Sequence, residues 1–189
     1  MEYPNWFEMT TAKQNFETHL QPYKGKPELS FLQLGTYIGD ATIWLMKNIL
    51  TDDSSTLVDV DTWLGSDEEE HNKMDFEKVF NLYRDRTSKY NPRLRWFRGR
   101  TLDFLRYEEK KYDFVYIDAD HTAVGVLLDA ELSWDLVKSG GIVAFDDYEW
   151  HSGKGLEYDP QPGINTFLIR HNGEFDVIQK DWQIWIRKR

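Results

Sequence analysis

The chain has 189 residues, no cysteine, a formal charge of −10 at pH 7 and a pI near 5.0. That length suits one domain, residues 1–189, able to bury roughly 70% of the surface its unfolded form exposes. The acidic balance opposes nucleic acid as a partner, since phosphate-binding faces are built from Lys and Arg. Lack of cysteine removes disulfides and thiolate chemistry and suits a reducing compartment. Glu2, Glu8, Lys13 and Glu17 interrupt the first twenty residues, so neither a signal peptide nor a membrane partner is expected and the expected location is cytoplasmic.

Leu29 to Leu34 reads as a first strand stopped by Gly35, and Ala41 to Leu50 has helical spacing with Ile43, Met46 and Leu50 on one face. Thr56 to Val60 is a second strand. The acidic cluster from Ser66 to His71 reads as a solvated loop or helix start. Phe76 to Ser88 is expected to be helical, with Phe76, Val79, Phe80 and Tyr83 together. A third strand, Leu94 to Phe97, follows the Asn91-Pro92 turn. Its arginines, from Arg93 to Arg106, alternate with Leu94, Trp96 and Phe97 and mark one wet face. Asp113 to Ile117 is a fourth strand, Thr122 to Val137 a long helix, and Lys138 to Gly141 a turn into a fifth strand, Ile142 to Phe145. Strands alternating with helix-length crossovers imply a parallel sheet covered on both sides.

Beyond a helix at Ile164 to His171, the pattern changes. Glu174 to Ile178 and Trp182 to Arg187 are β-like runs separated by only three residues. So short a link permits a hairpin and forbids a parallel crossover, so these two strands are expected to be antiparallel.

Chemistry concentrates where the strands end. Phe114 to Ile117 runs into Asp118-Ala119-Asp120-His121, and Ile142 to Phe145 runs into Asp146-Asp147. Ligands of open α/β sheets collect just beyond these carboxyl ends. Asp118, Asp146 and Asp147 in one crevice would repel one another at neutral pH, and a hard cation offsets that repulsion most simply. The first strand opens into Gly35-Thr36-Tyr37-Ile38-Gly39, a glycine-bracketed turn that lets a ligand approach the backbone. This turn is neither Gly-x-Gly-x-x-Gly nor a lysine-bearing phosphate loop, which opposes NAD and ATP. Asp59 or Asp61, at the end of the second strand, suits a pair of ribose hydroxyls.

Taken in order, Phe31-Leu32-Gln33-Leu34-Gly35-Thr36 with Gly39, Val60 to Gly65, Tyr112 to His121 and Gly140 to Tyr148 resemble the class I S-adenosylmethionine-dependent methyltransferases. The likeness is greatest to macrocin-type sugar O-methyltransferases and to the cation-dependent catechol and caffeoyl-CoA O-methyltransferases, and it spans residues 29 to 187. It implies an α/β fold: a Rossmann-like seven-stranded, mostly parallel sheet with helices on both faces and an antiparallel last strand. S-adenosyl-L-methionine is the implied cofactor. Gly35, Thr36, Tyr37 and Gly39 would bracket its methionine end, and Asp61 would accept from the ribose with Asp59 as the fallback. Gly99-Arg100-Thr101-Leu102 would hold the adenine, with the Thr101 hydroxyl as donor. Asp118, Asp146 and Asp147 would bind Mg²⁺ or another divalent cation. His121, three residues past the first acid, would be the catalytic base beside Asp118. Gln33 departs from the acid usual two residues before the glycine, and Asp147 stands where catechol and caffeoyl-type enzymes have Asn.

Methyl transfer from a sulfonium to a hydroxyl needs alignment and a deprotonating oxygen. A divalent ion lowers the pKa of the acceptor oxygen, and His121, with an ordinary pKa of about 6.5, removes its proton. The expected partner is thus a hydroxylated small molecule, a sugar or a phenol, covered by residues 1–28 and 148–163. A homo-oligomer is compatible with the chain. Two other readings stay open: a non-catalytic domain binding S-adenosylmethionine or a nucleotide, and a different nucleotide-dependent α/β enzyme.

Overall fold

β-branched and aromatic runs bounded by glycine, proline and aspartate set the strands. In the computed structural model, which describes residues 3–66 and 71–189 apart from the side chain of Asn72, seven such runs form one sheet. They are β1 (Ser30–Leu34), β2 (Thr56–Asp61), β3 (Leu94–Arg98), β4 (Tyr112–Ile117), β5 (Val137–Phe145), β6 (Phe175–Lys180) and β7 (Ile184–Lys188), in the spatial order β3-β2-β1-β4-β5-β7-β6. The five strands from β3 to β5 are parallel, and β7 runs antiparallel to both β5 and β6. Fold class and the closing hairpin are therefore as expected. Asp67, Glu68, Glu69 and Glu70 of the acidic cluster lie outside the described residues, as do Met1 and Glu2.

The helices are α1 (Trp6–Met9), α2 (Ala12–His19), α3 (Asp40–Asn48), α4 (Phe76–Thr87), α5 (Thr101–Leu105), α6 (Ala123–Trp134) and α7 (Pro160–Arg170). Alternate residues of the central strands feed two cores, as the pleat requires. Leu32, Leu34, Val115, Ile117, Val143 and Phe145 pack with Val126, Trp134 and Phe167 of α6 and α7. On the other face Phe31, Phe114, Tyr116 and Trp185 pack with Leu45 and Met46 of α3 and with Phe16 and Leu20 at the N-terminal end of the chain. Residues 3–28, expected as a cover for the acceptor, also supply core: Phe16, fully buried, touches the rings of Phe114, Tyr116 and Trp185.

Some boundaries differ from the sequence expectation for physical reasons. β5 begins at Val137, which pairs with Tyr112 before the chain bulges and rejoins β4 at Ile142, so the expected turn at 138–141 lies inside the strand. Helix α7 starts four residues early because Pro160 is tolerated in a first turn. No helix among the described residues is long and apolar enough to cross a membrane.

Register is what creates a site. Leu34 pairs with Val60 on one side and Ile117 on the other, and Ile117 pairs with Phe145. The next residues, Gly35, Asp61, Asp118 and Asp146, therefore emerge side by side. Strand order reverses between β1 and β4, so they line the topological switch point, where ligands of such sheets bind. Gly35 has φ +82°, and a Cβ there would stand 1.7 Å from the Asp118 carbonyl oxygen, so only glycine lets β1 and β4 end this close together.

Candidate active site

Above the switch point lies a cavity of about 890 Å³, lined from the β1 turn, the ends of β2, β4 and β5, the start of α5, and α6. That is near the top of the range for ligand pockets, roughly 300–1,000 Å³. It can hold a nucleoside-sized molecule and a second small one.

At its centre, Asp61 organises two loops. One of its oxygens accepts from the Thr36 and Tyr37 amides at 2.8 and 3.0 Å, and the other accepts from the Trp63 amide at 2.7 Å. The Thr36 hydroxyl stands 3.5 Å from the first oxygen as well, and the second, with one donor, keeps a lone pair for a ligand hydroxyl. Tyr37 and Trp63 both have left-handed backbones, as does Asp147, and all three line the cavity. Such conformations cost on the order of 1–3 kcal/mol each and gather at functional sites. The Trp63 indole donates to the Tyr37 carbonyl at 2.9 Å, tying the loops together.

Asp59, the fallback for the ribose, is corrected by the structure. Its side chain is fully buried behind the glycine turn, where Thr42 and Tyr83 each donate to it at 2.7 Å, and it does not line the cavity. Burial pushes its carboxyl up to about 7. Gln33, also buried, donates its amide to the Gly35 carbonyl at 3.0 Å and steadies the turn that an acid was expected to serve.

At the other end, Asp118, His121 and Asp147 converge, their ligand atoms all within 4.8 Å of one another. His121 Nε2 lies 3.6 Å from Asp118 Oδ1 and 3.3 Å from Asp147 Oδ2. The His121 ring packs on Trp150 at 5.3 Å, and the Trp182 indole donates to Asp147 Oδ1 at 3.1 Å. Burial first, then the charge of Asp146, pushes the Asp118 carboxyl well above its ordinary value, against the hydrogen bond from His121. Such crowding of acids is relieved by a cation, and the donor set of two carboxylates beside an imidazole fits a divalent one.

Asp146 does not join this cluster as the third expected ligand. Tyr116 donates its hydroxyl to one carboxylate oxygen, while Gln183 and the Asp147 amide donate to the other at 3.0 and 2.9 Å. Gln183 accepts in turn from Asn15 of α2 at 3.0 Å and from the Trp185 indole at 2.8 Å. Asp146 is therefore an anchored wall, linked through Gln183 to the N-terminal helix. Asp120 caps the α6 turn, accepting from the Thr122 amide at 2.9 Å. His151 pairs with Asp159 at 3.1 Å on the surface.

Beyond Asp61, Thr101 and Leu102 line the cavity, but the Thr101 hydroxyl is already committed. It donates to Asp129 Oδ1 at 2.5 Å, which corrects its expected part as a donor to a ligand. Asp129 itself escaped the sequence reading. It sits one turn from Val126 on the inner stripe of α6, and a lone acid in an apolar stripe was the signal. Of the aromatic residues, Trp6 and Phe7 of α1 and Trp150, Tyr158 and Trp182 line the cavity, whereas Trp134 and Trp185 are core.

A family model described as a methyltransferase domain matches residues 32–148. Among curated proteins, "Probable caffeoyl-CoA O-methyltransferase 1" of Dictyostelium discoideum is 36% identical over 77 residues, 41% of this chain and 31% of that protein. The match thus spans about a third of the length of that relative. Among solved structures, an O-methyltransferase from Bacillus cereus in complex with SAH aligns over 100% of this chain and 93% of its own, with 18% identity and a TM-score of 0.62. The N-methyltransferase NodS from Bradyrhizobium japonicum aligns over 97% of each chain, with 13% identity and a TM-score of 0.66. At these identities the likeness is one of fold, and it spans proteins named for oxygen and for nitrogen acceptors.

Proposed function

The chain belongs to the methyltransferase domain family, and from that premise we propose that it transfers the methyl group of S-adenosylmethionine to a hydroxyl of a small molecule with the help of a divalent cation. The carrying observation is the shared register that sets Gly35 and Asp61 beside Asp118, and Asp118 beside His121 and Asp147, in one cavity. One end offers backbone and a ribose acceptor, and the other offers acids and an imidazole.

In this reading Gly35, Thr36 and Tyr37 surround the methionine portion, and the remaining lone pair of Asp61 accepts from a ribose hydroxyl; Gly39, expected beside them, lies outside the cavity lining, where it faces Tyr83 and Thr87 and closes the turn through its amide on the Thr36 carbonyl at 2.8 Å. Thr101 and Leu102 border the base. The sulfonium then faces the acidic end, where the charges of Asp118 and Asp147 favour a cation. Asp118 and Asp147 would hold Mg²⁺ or a similar ion, which when bound polarises the acceptor oxygen and lowers its pKa. His121 lies against both acids and takes the proton from the acceptor hydroxyl, while Trp150 fixes the plane of its ring. Trp6, Phe7 and Tyr158 supply aromatic walls for the acceptor. The 36% identity to a protein named for caffeoyl-CoA supports oxygen over nitrogen as the receiving atom.

The test is incubation with S-adenosylmethionine and a panel of hydroxylated sugars and phenols, with products read by mass spectrometry. Expected are methylated product with Mg²⁺, loss of turnover in EDTA, and loss of at least about a hundredfold on His121→Ala, the scale of general-base catalysis. Undiminished turnover in EDTA would refute the metal. S-adenosylhomocysteine binding without transfer to any acceptor would favour the non-catalytic reading.

A further inference from the structure

Asp129 is a buried acid that the proposed chemistry does not use. It is 1% exposed and borders the cavity from the inner face of α6. One carboxylate oxygen accepts the Thr101 hydroxyl at 2.5 Å, and the other is buried without a hydrogen-bond partner among the described residues. An unpaired buried acceptor is costly, and it stays in a fold when something supplies the missing donor.

The position indicates which donor. If the remaining lone pair of Asp61 receives the ribose, the base lies against the adjoining stretch of the cavity, where the Gly99 amide donates to the Asp61 carbonyl at 2.9 Å and the chain leads into Thr101. That stretch runs between Thr101 and Leu102 on one side and Gly125, Leu128 and Asp129 of α6 on the other. These neighbours are apolar or small, apart from Asp129 and the hydroxyl it already holds. The exposed Asp120 carboxylate borders the slot over Gly125, and at its buried wall a purine meets the unpaired Asp129 oxygen, an acceptor.

We propose that Asp129 reads the exocyclic amino group of the cofactor's adenine, its unpaired oxygen accepting that N–H while Thr101 holds the carboxylate in place. This rests on the cofactor reading above and adds its base specificity. A 6-oxo base presents a carbonyl at the same spot, and two acceptors would face each other in a desolvated slot. Burial pushes the Asp129 carboxyl up to about 7, and an N–H donor on its bare oxygen offsets that cost of ionisation.

The test is titration calorimetry of the full chain with S-adenosylhomocysteine and with S-inosylhomocysteine, which carries oxygen in place of the amino group. The wild type is expected to favour the adenosyl compound by roughly tenfold or more, the worth of one hydrogen bond to a charged group. Asp129→Asn keeps an oxygen for Thr101 and places an amide donor where the acceptor stood, so the preference is expected to vanish or reverse. Equal affinity of the wild type for both compounds, or an unchanged ratio in an Asp129→Asn variant that still binds, overturns this proposal and leaves the cofactor reading standing. Failure of the wild type to bind either compound overturns both. The wild-type ratio needs no variant, so a poorly folded Asp129→Asn does not blunt the test.

Discussion

Asp59 and Asp61 stand two residues apart on β2, and their surroundings give them opposite tasks. Asp61 meets three backbone amides and an open cavity, while Asp59 meets two hydroxyls in a dry core. Sequence spacing placed both at the strand end, but burial depends on α3 and α4 folding across one of them, which no local pattern reports. The consequence is measurable. The Asp59 carboxyl rises from 3.8 to about 7 on folding, so the native state holds its proton more tightly than the unfolded chain. Its stabilising effect is complete below about pH 4 and is lost as pH climbs toward 7, a change on the order of 4 kcal/mol. Asp129, also raised to about 7, adds a loss in the same window. Urea unfolding across pH 4 to 8 is expected to show Asp59→Asn, which mimics the neutral acid, gaining on the wild type as pH rises. A difference constant with pH would contradict the burial of a titrating group there. The carboxylates at the reacting end were legible because each directly follows an apolar run, whereas the commitment of Asp146 to Tyr116 and Gln183 needed a residue 37 positions away.

Among the elements, parallel strands and long helices announced themselves through apolar period, and the final hairpin through its short link. The short helices α1 and α5 carry too few turns for a period to register, and α2 is mostly polar in sequence with Phe16 as its principal buried anchor. That difference in burial predicts a split between two aromatics of the N-terminal segment. Phe16→Ala is expected to cost about 3–5 kcal/mol as a cavity in the core. Trp6→Ala removes a ring pair with Tyr37 at 4.5 Å and is expected to cost about 1 kcal/mol while raising the KM for the acceptor. Thermal melts and acceptor kinetics check both, and equal destabilisation by the two would deny α2 its place in the core. At the β1–β4 junction, Gly35→Ala faces backbone 1.7 Å away as well as a left-handed φ. An expected loss of at least about 2 kcal/mol follows, readable in the same melts together with weakened cofactor binding.

At the scale of the molecule, the sheet order and register bring together groups that are 111 residues apart in sequence, from Gly35 to Asp146, at a single switch point. The alternation of elements and their end residues makes this arrangement legible in the sequence. The identity of the acceptor is not, because its walls come from α1 and from the 148–163 segment, whose composition does not encode a shape. In the proposed function the cavity divides the labour, with nucleoside recognition over β2 and β3 and methyl transfer over β4 and β5. All of it depends on the cavity receiving S-adenosylmethionine. Isothermal titration of the full chain with S-adenosylhomocysteine tests this most directly. Saturable one-to-one binding, weakened at least about tenfold in Asp61→Ala by loss of the hydrogen bonds to a charged acceptor, is the expected result. Absence of binding at millimolar ligand, or binding indifferent to Asp61→Ala, would contradict it.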